Sequence, residues 1–306
     1  MVKRELKLSM IRNHEPPYNY DVLSIGNMID LSQLDGQHGH VIATFNRVFY
    51  FEVNDQTICI TNKGIGRGPL VINSKAPETN NWIASGVKVG DRIIFWGATL
   101  YHSSFRFNFC NAFVWVPSPL ESPGLPLIIE KNLSYVGSVQ ETSGFKNLTY
   151  IHALDPIEKL RSWLKRSFLI LNGCISNPPK EVKILVGLGP GLTPSGDDFL
   201  GGVLLVLRLI DKPGMASKLW DFIFETVSDS TNRISAAHLF AASQGSATES
   251  VHQFLNSLFE VKADKIISLK DVVSKIGHTS GSDIMLGCQM ALEVWIETEK
   301  QSFKVV

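Results

Sequence analysis

One segment of the chain combines the residue types that bind small anions. Residues 187–202 read Gly-Leu-Gly-Pro-Gly-Leu-Thr-Pro-Ser-Gly-Asp-Asp-Phe-Leu-Gly-Gly. Glycine lets a backbone approach a ligand closely, and proline directs the chain just before a helix begins. A helix start after such a loop presents N–H groups at the positive end of the helix dipole, where anions bind. We therefore predict that substrate is bound here by Gly189, Gly191, Thr193, Ser195, Gly196 and Asp197.

Two nucleotide-binding loops and one structural alternative compete with this interpretation. The glycine spacing of a P-loop is present, but Asp197 and Asp198 stand where Lys and Ser or Thr are required. Leu192 occupies the third glycine position of a dinucleotide fingerprint. The segment thus supports neither ATP nor NAD, and we predict no cofactor. Ser195 and Asp198 also match a capping box, which would make Asp198 a helix cap and leaves the role of Asp197 open.

A weaker copy of the motif occurs later in the chain. The first motif, Ser195–Gly202, aligns without gaps to a second motif, Ser280–Gly287, and both read Ser-Gly-x-Asp, apolar residues, Gly. If the two helix starts converge, they form one pocket. The second motif then adds Thr279, Ser280 and Asp283 to the predicted substrate-binding residues. The alternative is a pair of independent capping boxes.

Two side chains beside these motifs are candidates for catalysis. Arg233 follows Thr231-Asn232 at a third predicted helix start, and an arginine can bind phosphate through two parallel hydrogen bonds. His278 precedes the second motif and could act as a general acid toward a leaving group or polarise a carbonyl. The alternatives are a surface arginine and a structural histidine.

The same motifs carry a resemblance to a known family. The Gly-rich signature is followed by Thr231-Asn-Arg-Ile-Ser235 and Gly277-His-Thr-Ser-Gly-Ser-Asp283. Together they resemble a bacterial family that includes one subunit of the oxamate carbamoyltransferase of allantoin breakdown. The resemblance implies carbamoyl transfer between carbamoyl phosphate and oxamate, in a complex with two other transferase subunits. The expected ligand is a small anionic metabolite.

Two other function classes fit these residues. A Mg²⁺-dependent hydrolase would use Asp197, Asp198 and Asp283 as oxygen ligands. A non-catalytic ligand-sensing or assembly subunit would bind a metabolite while a partner carries out the chemistry. The transferase hypothesis leads and predicts no metal ligand, because carbamoyl transfer requires positioned reactants and a stabilised oxyanion rather than a nucleophilic side chain.

Composition favours a cytoplasmic protein that binds neither nucleic acid nor membranes. The chain has 29 Lys and Arg against 29 Asp and Glu, and its basic residues are scattered instead of forming a basic face. The longest apolar run, residues 199–210, is too short to span a bilayer. The four cysteines are isolated, as expected in a reducing compartment.

The distribution of residue types predicts an α+β fold. Residues 1–125 are rich in β-branched and aromatic runs and predict an antiparallel β-rich domain, in which the loop of Lys63 and Arg67 is interpreted as a long hairpin turn. Residues 126–306 show helical periodicity and predict a mainly helical domain that carries both motifs. Within it, the apolar run 182–186 is predicted to be a short strand leading into the Gly-rich loop, residues 187–194.

Overall fold

The chain forms two compact units, Met1–Val116 and Pro117–Val306. The computed structural model describes residues 18–119, 125–137, 139, 142–147, 153–170, 174–260 and 263–302. In the first unit the strands are β1 Tyr18–Gly26, β2 His38–Thr44, β3 Val48–Val53, β4 Gln56–Thr61, β5 Val71–Ser74, β6 Arg92–Trp96, β7 Thr99–Tyr101, β8 Phe105–Asn108 and β9 Phe113–Trp115.

Eight of these strands close into a barrel. Their order is β5-β4-β3-β2-β6-β7-β8-β1, and β1 also pairs with β5, which completes the circuit. The barrel is mixed rather than antiparallel as predicted, because β1 runs parallel to β8 and β9, and β4 runs parallel to β5. The loop of Lys63 and Arg67 is therefore not a hairpin turn. It crosses back between parallel strands, which a tight hairpin cannot connect.

Aromatic side chains fill the barrel. Phe49 and Phe51 of β3 and Phe105 and Phe107 of β8 are at most 1% exposed, as expected for alternate residues that point to one face of a strand. Trp82 enters from a loop, and its ring lies 5.2 Å from that of Phe49 and 5.3 Å from that of Phe105. The barrel interior is thus a packed core of edge-to-face aromatic contacts.

The described part of the second unit is helical, as predicted. Its α-helices are α1 Pro126–Val136, α2 Leu154–Phe168, α3 Ser195–Leu209, α4 Pro213–Ser230, α5 Arg233–Ser243, α6 Glu249–Phe259, α7 Ala263–Val273 and α8 Ser280–Ser302. The strand predicted over residues 182–186 is wrong: Lys180–Leu185 is a 3₁₀ helix. Val182 and Leu185, one 3₁₀ turn apart, are both fully buried, whereas Ile184 is 49% exposed. None of the described helices is long and apolar enough to cross a membrane.

Helices α3 and α8 form the centre of this unit. A Cβ on Gly202 would lie 2.2 Å from the carbonyl oxygen of Ile284, and one on Gly287 would lie 2.0 Å from that of Phe199. The two contacts are reciprocal, since Phe199 aligns with Ile284 and Gly202 with Gly287 in the repeated motif. The repeat in the sequence is therefore a repeat in the structure: two helices cross with approximate two-fold symmetry and backbones in direct contact.

Candidate functional site

The two motifs meet at the beginnings of α3 and α8. Thr193 Oγ1 and Ser280 Oγ are 2.7 Å apart and share a hydrogen bond. Ser195 is the first residue of α3, and Ser280 is the first residue of α8. The predicted convergence of the two helix starts is confirmed, and the alternative of two independent capping boxes is wrong.

Helix α5 brings a third start to the Gly-rich loop. The side-chain oxygen of Asn232 accepts hydrogen bonds from the N–H groups of Ile234 and Ser235 at 3.0 and 3.1 Å. Its amide nitrogen donates to the carbonyl of Leu192 at 2.8 Å. Asn232 thus caps α5 and ties it to the loop, which places the exposed Arg233 beside the loop as the first residue of α5.

Asp197 joins the loop to α3 and α5. Its side chain is 1% exposed. Oδ1 accepts the N–H of Gly187 at 2.8 Å, and Oδ2 accepts the hydroxyl of Ser235 at 2.6 Å as well as that of Thr231. Thr231 and Ser235 had no predicted role, although their spacing of four residues places both hydroxyls on one side of the α5 start.

The Gly-rich loop presents more N–H groups than the first turn of α3. Gly189 and Gly191 have φ values of +114° and +99°, a region that favours glycine. Among the described residues no partner accepts the N–H of Gly189, Gly191, Leu192, Thr193 or Ser195. The N–H of Gly196, by contrast, donates to the carbonyl of Leu188 at 2.8 Å. The N–H groups without a partner therefore lie mainly in the loop itself, slightly before the helix start that was expected to supply them.

Two carboxyl groups are buried between the starts of α3 and α8. Asp198 is 8% exposed and Asp283 is fully buried. Gly144, which the sequence did not single out, donates its N–H to Asp283 Oδ1 at 2.9 Å. Within the described part of the chain, Oδ2 of each aspartate has no hydrogen-bond partner. Each motif thus contributes one buried carboxyl oxygen that has no hydrogen-bond partner among the described residues.

The surroundings of these carboxyl groups favour their neutral form. Burial raises the pKa of Asp198 well above its usual value, and the charges of Asp283 and Asp197 act in the same direction, while the nearby hydroxyls of Ser280 and Thr193 oppose the shift. Burial also raises the pKa of Asp283. The interpretation of Asp198 as a helix cap is wrong, because α3 begins after Pro194 without a side-chain cap. Asp198 instead lies beside the start of the other helix.

The pKa of Asp198 predicts how stability depends on pH. A carboxyl whose pKa is raised by folding contributes stability that is complete below its unfolded value, 3.8, and is lost as pH rises through the folded value. Asp198→Asn removes this titration. We compare the melting temperature of the variant minus that of the parent at two pH values. This difference should be more positive at about pH 8 than at about pH 5. Equal pH dependence of the two proteins in thermal melts would contradict the burial argument.

The described residues contain no group of three or more His, Cys, Asp or Glu side chains that could hold a metal ion. A hydrolase was expected to bind Mg²⁺ through Asp197, Asp198 and Asp283. Both carboxyl oxygens of Asp197 instead accept hydrogen bonds from Gly187, Thr231 and Ser235 on the side of α5. The Mg²⁺-hydrolase alternative therefore lacks its ligand set.

The remaining predicted residues lie around the same junction. His278 is in the exposed turn before α8, and Thr279, which follows it, is partly buried. The hydroxyls of Ser195 and Thr279 lie near Asp283, as those of Ser280 and Thr193 lie near Asp198. Each carboxyl thus faces the Thr of its own motif and the Ser of the other. The roles of His278 and Arg233 in catalysis stay predictions.

Comparison with known proteins bears on this same segment. No solved structure matches the chain significantly. A family model described as "Oxamate carbamoyltransferase subunit AllH" matches residues 185–292, about a third of the chain. The match includes the Gly-rich loop and the starts of α3, α5 and α8. The segment that carries the candidate site is thus similar to oxamate carbamoyltransferase subunit AllH.

Proposed function

We propose that this chain binds carbamoyl phosphate, or a related small anionic reactant of oxamate carbamoyl transfer, where α3, α5 and α8 begin. The observation that supports this most is the convergence of three helix starts around one loop. Helix starts favour negative charge, and the N–H groups of Gly189, Gly191 and Thr193 have no other partner among the described residues. Carbamoyl phosphate and oxamate both carry an anionic group that such a junction can hold.

The proposal assigns each group a task. Arg233 and the loop N–H groups would bind the phosphate, while the hydroxyls of Ser195 and Ser280 would donate to the carbonyl oxygen of the carbamoyl group. Asp197 would hold the loop in position. In the reaction the amide nitrogen of oxamate attacks the carbamoyl carbon, the carbon–oxygen bond to phosphate breaks, and the nitrogen loses a proton. His278 would pass a proton to the departing phosphate.

Arg233→Ala tests the phosphate contact. We expect the variant to bind carbamoyl phosphate more weakly by about 1.5–3 kcal/mol, because a charge-assisted hydrogen bond is lost. Calorimetric titration measures this change, and thermal melts check the fold. The matched control is Arg166→Ala, an exposed arginine of α2, which should bind as the parent does.

Two outcomes would contradict the proposal in different ways. If Arg233→Ala binds as tightly as the parent, Arg233 is a surface residue and the phosphate is held elsewhere. If the parent binds neither carbamoyl phosphate nor inorganic phosphate, the chain does not form this site alone. We also propose that it functions in a complex with two other transferase subunits. The same titration with all three subunits present would then separate a partner-dependent site from a non-catalytic assembly subunit.

A further inference from the structure

We propose that Asp198 and Asp283 form a subsite for a primary amide or carbamoyl group, H₂N–C(=O)–, whose two N–H bonds are accepted by the two Oδ2 atoms. This inference deepens the proposed function and rests on it. It assigns the amide end of the reactant to residues that are distinct from the loop and Arg233, which take the anionic end.

The unpaired oxygens carry the argument. A buried carboxyl oxygen without a hydrogen bond is costly, so such atoms commonly mark a place where a ligand or water completes the site. Asp283 is fully buried and Asp198 is 8% exposed. The hydroxyls of Ser143, Ser195 and Thr279 interact with the carboxyl of Asp283, and those of Ser280 and Thr193 with the carboxyl of Asp198. Within the described residues, neither Oδ2 has a partner at hydrogen-bonding distance and angle. Two acceptors at one junction require a ligand with at least two donors.

The approximate symmetry of α3 and α8 gives these acceptors a suitable arrangement. Asp198 and Asp283 occupy equivalent positions of the two motifs, and the helices that carry them cross with reciprocal backbone contacts. The charge of Asp283 acts on Asp198, so the two carboxyl groups lie close together at the junction. A planar NH₂ group directs its two N–H bonds about 120° apart, so it can donate to two acceptors that flank it.

Other ligand classes fit the pair less well. A carboxylate or a fully ionised phosphate has no N–H or O–H to donate to the two Oδ2 acceptors. A divalent cation requires more oxygen ligands than two carboxyl groups, and the described residues supply no group of three metal-binding side chains. An amide is uncharged and offers both donors and an acceptor. With one proton shared by the pair, which the raised pKa values favour, a carboxyl O–H is also available to the amide carbonyl.

The subsite holds one NH₂ group at a time, so during transfer it would select one of the two reactants by this feature, while in separate titrations either reactant can occupy it. Carbamoyl phosphate and oxamate each join H₂N–C(=O)– directly to an anionic group. Acetyl phosphate and pyruvate are the corresponding compounds in which a methyl group replaces NH₂. A site that binds only the anionic group would bind the two members of each pair with similar affinity. Two acceptors for NH₂ would make the affinity for the NH₂ compound higher.

Titration of the full chain with these matched pairs tests the proposal. The parent should bind oxamate at least about tenfold more tightly than pyruvate, and carbamoyl phosphate at least about tenfold more tightly than acetyl phosphate, since two hydrogen bonds are lost with the methyl group. Asp283→Asn is the decisive variant. Its side-chain oxygen should retain the N–H of Gly144, which turns its NH₂ group toward the ligand and removes one acceptor.

In Asp283→Asn both preferences should fall to less than about threefold, while inorganic phosphate should bind with an unchanged affinity. Asp271→Asn, an exposed residue of α7, should retain the preferences of the parent. If the parent does not prefer the NH₂ compounds, or if Asp283→Asn retains that preference, the subsite is refuted while phosphate binding still supports the proposed function. If the parent binds none of the five ligands, either alone or with the two other transferase subunits present, the proposed function fails and the subsite fails with it.

Discussion

Asp197→Ala is expected to lower the free energy of unfolding by about 4 kcal/mol, since three donors lose their acceptor in a buried environment. The N–H of Gly187 and the hydroxyls of Thr231 and Ser235 all point at this one carboxyl. Their loss would separate the Gly-rich loop from α5, so carbamoyl phosphate binding should be lost as well. Urea unfolding followed by far-UV circular dichroism measures the change in stability.

Two companion variants identify the cause. Asp197→Asn keeps the shape and one acceptor oxygen, and the hydroxyls of Thr231 and Ser235 can rotate to accept from its NH₂ group. The free energy of unfolding should therefore fall clearly less than in Asp197→Ala. Asp271→Ala, in an exposed position of the same unit, should change stability by less than about 0.5 kcal/mol. If Asp197→Ala unfolds at the urea concentration of the parent, the three hydrogen bonds do not hold this junction together.

Gly202→Ala should destabilise the protein by about 3 kcal/mol, although alanine is the better helix former. The added methyl carbon would lie 2.2 Å from the carbonyl oxygen of Ile284, and this atom belongs to a helix backbone that cannot turn aside like a side chain. Relief requires α3 and α8 to separate, which opens the packed interface between them. Gly287→Ala should have an effect of the same size, since its methyl carbon would lie 2.0 Å from the carbonyl oxygen of Phe199.

The neighbouring residue provides a matched control. A Cβ on Gly201 meets only the Cβ of Ala242, at 3.7 Å, which is ordinary contact. Gly201→Ala should therefore be neutral or should stabilise the protein by up to about 1 kcal/mol through helix propensity. Equal effects of Gly201→Ala and Gly202→Ala in urea unfolding would show that the reciprocal contacts do not limit the approach of the helices.

The sequence indicated that the two motifs meet, but it did not indicate the contacts that join them to the rest of the unit. The repeated Ser-Gly-x-Asp indicated that Ser195 and Ser280 begin helices that meet, because equivalent residues in a repeat occupy equivalent positions. It could not indicate that Asp197 bonds to Thr231 and Ser235, since these contacts join separate helices. The contact of Gly144 could not be predicted, because it is made by a backbone N–H that almost every residue type carries. The capping box was misleading, since its spacing fits Asp198 equally well as a group that faces another helix.

The fold shows the same division between local and distant information. Helix α6 occupies Glu249–Phe259, the span that its periodicity indicates, because the pattern depends only on neighbouring residues. Strand direction depends on partners far along the chain, so nothing local distinguished parallel from antiparallel pairing for β4 and β5. Strand β1 shows the same dependence on distant partners. The strand carries polar residues among its apolar ones, and it is defined mainly by pairing with β5 and β8.

Closure of the barrel through β1 has a consequence for the kinetics of folding. In β1, the first strand that the structure describes, Tyr18 pairs with Phe105 and Val22 with Ser74. This strand cannot pair until β5 and β8 have been synthesised. Chains dominated by such distant pairings fold in about milliseconds to seconds rather than microseconds. During that interval the open sheet exposes two unpaired edges and its aromatic interior. Aggregation during synthesis should therefore compete with folding most strongly before β8 has left the ribosome.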